Sequence, residues 1–307
     1  MIIYKQSGTD PNCKLGHEIR QIIERKNDFM RKAESAAGVL FCREIGNGKK
    51  AFEAVCHNDL ESYPEHVKLE KEFTIPQKWI EKSLCGDLCE TKEAIDNIRR
   101  RSERILCLYY RFARSMLETA LANATAPQTC YEGFVLNLCT PDGEPLFSEN
   151  HFFGDTGRQS NLLKGSFLGD EKKTSASLDF LAGKLADMKD EYGEPLRYVA
   201  DTIIIPSNRT DLYLKFIRAI AAQDKCKWNL VILDWRSDDD RFMIMSSDAN
   251  RELGGNIFFN QVPLVVTSWT DQYTGNYIVD SSCRFNVKFG TYKHILLAID
   301  TASEGTI

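Results

Sequence analysis

Residues 91–123 read TKEAIDNIRRRSERILCLYYRFARSMLETALAN, with apolar or small residues recurring every three or four positions. This spacing predicts one continuous helix with a single apolar face. No Gly or Pro interrupts the stretch, Thr91 can cap its start, and Pro127 follows its end. At 1.5 Å per residue such a helix would be about 50 Å long, well beyond the average globular helix. This length suggests either a core helix of a large enzyme or the backbone of an elongated subunit.

The opposite face of this predicted helix is basic. Its arginines are Arg99, Arg100, Arg101, Arg104, Arg111 and Arg114. The acids that could pair with them are Asp96, Glu103 and Glu118. A solvated face paired to neighbouring acids is the ordinary interpretation of such a run. A local surface that faces nucleic-acid phosphates is the alternative.

The chain as a whole is mildly acidic. Its 307 residues carry a formal net charge of -5 and a sequence pI of about 5.7. This length allows a substantial core in one large or two medium domains. Because the basic residues are dispersed among more acids, the composition argues against a dedicated nucleic-acid binder. No stretch has the length of a signal peptide core or a membrane span, so we expect folding in a cytosol and no membrane partner.

Cysteine and histidine patterns indicate no catalytic or metal site. Ten cysteines are scattered over the chain, and the close pair Cys85 and Cys89 lacks a second pair or a nearby His. We therefore expect mostly reduced thiols and no zinc. A hydrolase that uses Cys130 or Cys139 with His151 is the enzymatic alternative, but no nucleophile motif supports it. His151 is better interpreted as a structural residue.

Other motifs that carry chemistry are also missing from the sequence. No Gly-rich phosphate loop supports a nucleotide cofactor. The run Asp238 to Asp240 is interpreted as a solvated turn in preference to a cation site. We therefore predict that the chain is not an enzyme, with no catalytic, cofactor-binding or metal-binding residues.

The first 76 residues need a partner surface. Residues 1–14 suggest an extended arm, and residues 15–37 suggest a short amphipathic helix. Residues 39–58 predict a strand, a tight turn and a second strand, followed by another extended passage that ends at Pro76. The candidate contact residues at the turn are Asn47, Gly48, Lys49 and Lys50. An isolated ribbon is marginally stable in water, so we expect it to lie on another copy of the chain.

The second half of the sequence predicts an α/β unit followed by strands. Leu178, Leu181 and Leu185 form one helical stripe, residues 202–205 form a buried strand, and a helix follows Asn208 or Thr210. From Lys227 onward the pattern is typical of β-strands. The whole chain is therefore predicted to have an α+β fold.

Four passages resemble the major capsid proteins of tailed bacteriophages. They are DGEPLFSENH (142–151), QSNLL (159–163), MKDEYGEPLRYVADTIIIPSN (188–208) and RFNVKFGTYKHILLAID (284–300). The chain is most similar to the Mu-like major head subunit group, which has the Hong Kong 97-type fold shared with encapsulins. The likeness covers nearly all of the chain from about residue 38 and depends on the order of the elements more than on any single motif.

The resemblance implies a shell subunit with several parts. These are an N-terminal arm (1–38), an extended loop hairpin (39–75), a peripheral domain (76–150) with a spine helix (91–123), an axial domain (151–269) and C-terminal strands that return to the peripheral domain (270–307). It also implies that Arg99, Arg100, Arg101 and Arg104 face the lumen or a neighbouring subunit. Covalent cross-linking between a loop lysine and Asn286 is not expected, nor is a cleaved scaffolding segment of about one hundred residues.

The implied function is structural. Many copies would assemble as pentamers and hexamers into an icosahedral shell around double-stranded DNA, in the virion of a phage that is assembled in the bacterial host cytoplasm. Portal, scaffolding and decoration proteins are the other implied partners, and DNA would be contacted without sequence specificity. An encapsulin-like compartment that encloses a protein cargo is the alternative.

Overall fold

The computed structural model describes residues 3–6, 17–26, 43–46, 67–85, 88–152, 154, 157–221, 228–235 and 240–301. Its helices are α1 (17–26), α2 (Gln77–Cys85), α3 (Leu88–Ala122), α4 (Glu171–Ala186), α5 (Thr210–Ala221) and α6 (Ser247–Leu253). Its strands are β1 (Ile3–Gln6), β2 (Arg43–Gly46), β3 (Val67–Ile75), β4 (Gln128–Tyr131), β5 (Phe134–Asn137), β6 (His151–Phe152), β7 (Arg158–Gln159), β8 (Leu162–Gly165), β9 (Thr202–Pro206), β10 (Asn229–Leu233), β11 (Asp240–Met245), β12 (Asn256–Thr270), β13 (Tyr277–Phe289) and β14 (Ile295–Asp300).

The long helix predicted from the periodicity is confirmed. Helix α3 runs for 35 residues and buries one face, on which Leu106, Met116 and Leu117 are almost fully enclosed. Thr91 does not cap this helix as predicted, because the helix begins three residues earlier, at Leu88. The ring of Tyr109 meets the edge of Phe285 on β13 at 5.5 Å between centroids, so the buried face of α3 lies against the first sheet.

The first sheet has the strand order β1-β12-β13-β3, with β2 also paired to β12. Strands β12 and β13 are long antiparallel neighbours, and β1 and β2 each pair with β12 in parallel. The register between β12 and β13 shifts between Asn260 and Val265. Pro263 lies at this shift, where its missing N–H cannot contribute to the ladder. The sheet is therefore built from segments far apart in sequence.

The second sheet has the order β10-β9-β11-β14-β8. Strand β9 is buried at every position, which agrees with its unbroken apolar sequence. Helices α4 and α5 cover this sheet with their apolar faces, and the ring of Phe216 on α5 lies 4.8 Å from that of Phe242 on β11. The predicted α/β unit is thus present, with strands of the C-terminal region added to it.

Strands of the C-terminal region contribute to both sheets. Strands β12 and β13 pair with each other in the first sheet. Strand β14 pairs with β8 and β11 of the second sheet. A linear sequence pattern does not encode these pairings, because they depend on long-range packing.

Several local expectations were refined. Strand β13 runs without interruption from Tyr277 to Phe289. Helix α6 was not predicted; Ser246 caps its start by accepting a hydrogen bond from the N–H of Ala249. The predicted turn that contains Asn47, Gly48, Lys49 and Lys50 lies outside the described residues, as does most of the predicted ribbon.

Candidate interaction surfaces

Helix α3 presents an exposed basic face. All six of its arginines from Arg99 to Arg114 are exposed. Arg100, Arg104, Arg111 and Arg114, with Cys107 between the second and the third, follow the four-then-three spacing that places residues in one line along a helix. Arg100 and Arg114 are therefore separated by about 21 Å along the axis. This line of charge is longer than the four arginines singled out from the sequence.

The four predicted arginines divide into two pairs. Arg100 donates from Nε to the carbonyl of Asp96 at 3.3 Å, and Arg101 donates to the carbonyl of Thr74, which ties α3 to β3. Arg99 and Arg104 make no hydrogen bond or ion pair within the described part of the chain. As far as the described ranges go, two of the four guanidinium groups are therefore open to an external anion.

Arg114 has a structural role that the sequence did not indicate. Its Nε lies 2.8 Å from Glu118 Oε1, and its Nη2 donates to the carbonyl of Ile232 at 3.0 Å. Ile232 lies on β10, an edge strand of the second sheet. Because α3 also packs on the first sheet, Arg114 helps to connect the two sheets. The spacing of Arg114 and Glu118 was the available sequence signal, but the contact with Ile232 spans 118 positions.

His151 lies in a buried polar cluster. Its ring is 0% exposed and stacks on Tyr292 with centroids 3.7 Å apart. Nδ1 lies 2.7 Å from Asp142 Oδ2, and Nε2 lies 3.1 Å from the carbonyl of Leu146 and 3.2 Å from Asn161 Oδ1. Since both nitrogens are engaged and the ring is enclosed, His151 is unavailable to a substrate. These contacts favour the structural interpretation of His151.

Two other members of the cluster determine its electrostatics. Burial opposes ionisation of Asp142, but hydrogen bonds from His151 and Thr140 outweigh it and hold the pKa of this carboxyl below its usual value. Burial, with a smaller contribution from Asp142, raises the pKa of Tyr292 to about 12. Asn161 donates from Nδ2 to the carbonyls of Leu146 at 2.7 Å and Ile295 at 3.2 Å. The cluster therefore joins the loop before β6 to the start of β14.

Among the described residues, the hydrogen-bond partners of the His151 ring are oxygen atoms, and no cysteine thiol is one of them. The thiol of Cys139 donates to the carbonyl of Pro127 at 3.5 Å. Burial, followed by the charges of Glu144 and Asp142, raises the pKa of this thiol and so disfavours the thiolate that a nucleophile needs. Both nitrogens of His151 face oxygen acceptors.

Neither a metal cluster nor a membrane span is found in the described ranges. No group of three or more His, Cys, Asp or Glu side chains in this part of the chain is placed to hold a metal ion. Asp240, from the predicted acidic turn, pairs with Arg209, while Asp238 and Asp239 lie outside the described residues. Within the same ranges, every helix is too short or too polar to cross a lipid bilayer.

Asn286, the amide considered for cross-linking, is buried in β13. It is 1% exposed, and its Oδ1 accepts a hydrogen bond from the N–H of Val287 at 2.7 Å. A buried amide is poorly placed to react with a lysine of a neighbouring chain. Lys49 and Lys50 themselves lie outside the described residues.

Comparison with known proteins gives structural similarity only. No protein-family model matches the sequence, and no curated protein sequence matches it. The virus-like particle from Pyrococcus furiosus is similar with a TM-score of 0.44 and 10% identity, over 91% of this chain and 98% of that chain. A phage-related protein from Bordetella bronchiseptica RB50 gives 0.41 and 10%, over 83% and 84%. The capsid of Myoviridae phage XM1 gives 0.38 and 11%, over 80% and 82%.

These structural neighbours are capsid or phage-related proteins, and the similarity to each is low. This chain itself combines helices and sheets. All three TM-scores lie below 0.5.

Proposed function

We propose that this chain is the major capsid protein of a tailed bacteriophage. It would have the Hong Kong 97-type fold and be related to the Mu-like head subunits. Many copies would form pentamers and hexamers that close into an icosahedral shell around double-stranded DNA. The observation that carries the proposal is helix α3, whose 35 residues form a rod between two sheets. Its buried face packs on β13 through Tyr109, and Arg114 binds the edge of the second sheet at Ile232. A subunit that bears load across a shell needs such a rigid connection.

The N-terminal strands support assembly. Strands β1 and β2 each join β12 in parallel, through four register positions apiece, although they come from separate parts of the N-terminal region. Addition of a short strand to a sheet depends mainly on main-chain hydrogen bonds. Such a strand can bind a neighbouring copy as well as its own chain, which is the usual route to exchanged segments in oligomers. An arm (1–38) and an extended loop (39–75) that reach adjacent subunits are consistent with this pairing.

The arginine face supports contact with nucleic acid or with a neighbouring subunit. Arg99 and Arg104, together with Arg111 about two turns beyond Arg104, are exposed and have no partner among the described residues. An exposed guanidinium is well suited to bind phosphate oxygens. We assign this face to the lumen of the shell, where its contacts with DNA would be independent of sequence.

The remaining parts of the proposal follow from a shell of this kind. The protein would be part of the virion after assembly in the bacterial cytoplasm. Portal, scaffolding and decoration proteins would be its other partners. Residues 76–150 would belong to a peripheral domain, and α4, α5 and the second sheet would form the body of the axial domain.

The proposal is tested by electron microscopy of particles purified from cells that express the chain with its phage genome. Closed shells that contain nuclease-protected DNA are the expected result. Shells filled with a protein cargo instead would favour the encapsulin-like compartment. Material without shells would overturn both functions.

A further inference from the structure

A small hairpin after helix α4 carries an exposed aromatic residue at its tip. The N–H of Leu196 donates to the carbonyl of Met188 at 2.8 Å and closes the hairpin. Asp190 Oδ1 accepts hydrogen bonds from the N–H groups of Tyr192 and Glu194, each at 2.9 Å. Tyr192 is nevertheless 82% exposed. Hydrogen bonds therefore fix the backbone of the tip, while the side chain of Tyr192 remains largely exposed to solvent.

The tip is also strongly acidic. Asp190, Glu191 and Glu194 flank Tyr192 in the sequence, and residues 190–194 include no Lys or Arg. Lys293 interacts electrostatically with Asp190 and Glu191, and one cation beside three carboxylates leaves the tip with a net negative charge. An exposed tyrosine on a pre-shaped loop is a common anchor of protein interfaces, because it buries a large area for little loss of side-chain freedom. We expect such an anchor to enter a basic concavity on its partner.

A complementary surface lies where the start of α4 meets α5. A cavity of about 540 Å³ at this corner is lined by Lys172, Lys215 and Arg218. None of these three cations forms an ion pair within the described residues. The carboxylates that also line it are Asp170, which caps α4 by accepting a hydrogen bond from the N–H of Lys173, and Glu171. The corner is therefore basic on balance.

Exposed apolar side chains adjoin the same basic residues on α5. Leu214 is 50% exposed and Ile217 is 41% exposed, and both are neighbours of Lys215 and Arg218 along the helix. The buried face of α5 is made by other residues, such as Phe216. Apolar area beside unpaired cations suits a partner that presents an aromatic ring among carboxylates.

The two surfaces lie at opposite ends of helix α4. The hairpin follows its last turn, whereas Lys172 lies in its first turn, so about 22 Å of helix separates them. Hydrogen bonds between the side chain of Gln159 and the backbone of Lys189 hold the base of the hairpin. The tip of one chain therefore cannot fill the corner of the same chain.

We propose that the tip at residues 190–194 docks into the α4–α5 corner of a second copy of this chain. Because two different surfaces meet, the contact is head-to-tail, and repetition of it gives rings when the rotation closes. This inference deepens the proposed shell function and rests on it. It identifies the surfaces that join neighbouring copies within one ring.

Cysteine cross-linking tests this geometry. The double variant Tyr192→Cys with Lys215→Cys should give a ladder of disulfide-linked oligomers on a non-reducing gel, since each copy carries both halves of the contact. The single variants Tyr192→Cys and Lys215→Cys, and the wild-type chain with its native thiols, are the controls and should give no such ladder. Dimers of the single Tyr192→Cys variant in which peptide mapping finds the disulfide between the two introduced thiols, and not at the exposed native Cys107 or Cys130, would indicate tip-to-tip contact and overturn the proposal. Assembled double-variant shells without a ladder would overturn it as well.

Charge exchange provides a second test. Glu191→Lys with Glu194→Lys should lower the yield of assembled shells at least tenfold, and adding Lys215→Glu with Arg218→Glu should restore it. Asp190 and Gly193 are left unchanged, because Asp190 holds the turn and Gly193 has a φ of 86°. The control Glu72→Lys with Glu93→Lys makes the same change in net charge at exposed sites outside both surfaces. Unchanged yield in the tip variant would reject this contact, whereas failure of the wild-type chain to form shells would reject the proposed function.

Discussion

The arginine face of α3 and the cluster around His151 use charge in opposite ways. In the cluster, Asp142 and His151 lie 2.7 Å apart with almost no exposure, and their remaining polar atoms are hydrogen-bonded inside the chain. On α3, Arg99 and Arg104 are exposed and have no partner within the described residues. Buried charges are costly unless they are paired, whereas exposed charges contribute little to folding. The cluster therefore stabilises the fold, whereas the helix face is exposed to other molecules.

Removing the imidazole of the cluster should have the largest effect on folding. His151→Ala leaves the carboxylate of Asp142 enclosed without its partner, which should lower the free energy of unfolding by about 3–5 kcal/mol. Urea denaturation followed by circular dichroism measures this change. His17→Ala is the matched control, because His17 is exposed on α1 and bonds only to Gln21 in the described structure. Equal stability of the two variants would contradict the role assigned to the cluster.

Replacing the carboxylate should have a smaller effect that depends on pH. Asp142→Asn should cost about 2 kcal/mol at neutral pH, since hydrogen bonds to a charged group are lost. The pKa of Asp142 is lowered in the folded chain, so its contribution is present above its unfolded value of about 3.8 and is lost as the pH falls through the folded value. Denaturation curves of wild type and variant at several pH values should therefore converge in acid. A constant difference at all pH values would show that the charge of Asp142 is not the cause.

Arg114 and Arg111 allow a bonded and an unbonded arginine to be compared within helix α3. Arg114→Ala should cost about 1 kcal/mol, because its bonds to Glu118 and to the carbonyl of Ile232 are lost and its exposed ion pair is worth little. Arg111→Ala removes the same side chain one turn earlier, where it has no described partner, and should change stability by less than about 0.5 kcal/mol. Thermal denaturation of both variants checks the difference. If Arg111→Ala were the more destabilising, the assignment of the two residues would have to be reversed.

The free arginines should affect folding least and assembly most clearly. Arg99→Glu with Arg104→Glu should alter the free energy of unfolding by less than about 0.5 kcal/mol. Shell yield or retained DNA should nevertheless fall, because like charges would face phosphates or a neighbouring acidic surface. Arg99→Lys with Arg104→Lys keeps the charge and is the matched control. The measurement is the amount of DNA retained per shell after nuclease treatment. Wild-type DNA content in the variant with reversed charges would contradict the proposal for this face.

The elements with strong local patterns could be predicted from the sequence. Helix α3 followed from its apolar spacing, and β9 followed from its buried run between a turn and a proline. Helix α6 was missed because seven residues are too few for a periodic signal. The pairing of β14 with β8 could not be predicted, since their residues are more than one hundred positions apart and share only a tertiary environment.

The candidate surfaces were only partly predictable, for the same reason. The exposure of Arg99 and Arg104 followed from helical periodicity. The use of Arg101 and Arg114 as internal ties did not, because Thr74 and Ile232 are brought to them by the fold. The acidic tip around Tyr192 was visible in the sequence only as the end of a helix. Its exposure and its separation from the α4–α5 corner required the three-dimensional structure.

Sedimentation velocity of the purified wild-type protein tests whether this chain is a building unit of a large shell. If it is, most of the material should sediment as particles of megadalton mass. A single species at the 35.0 kDa mass of one chain, or a small oligomer of it, would contradict the account.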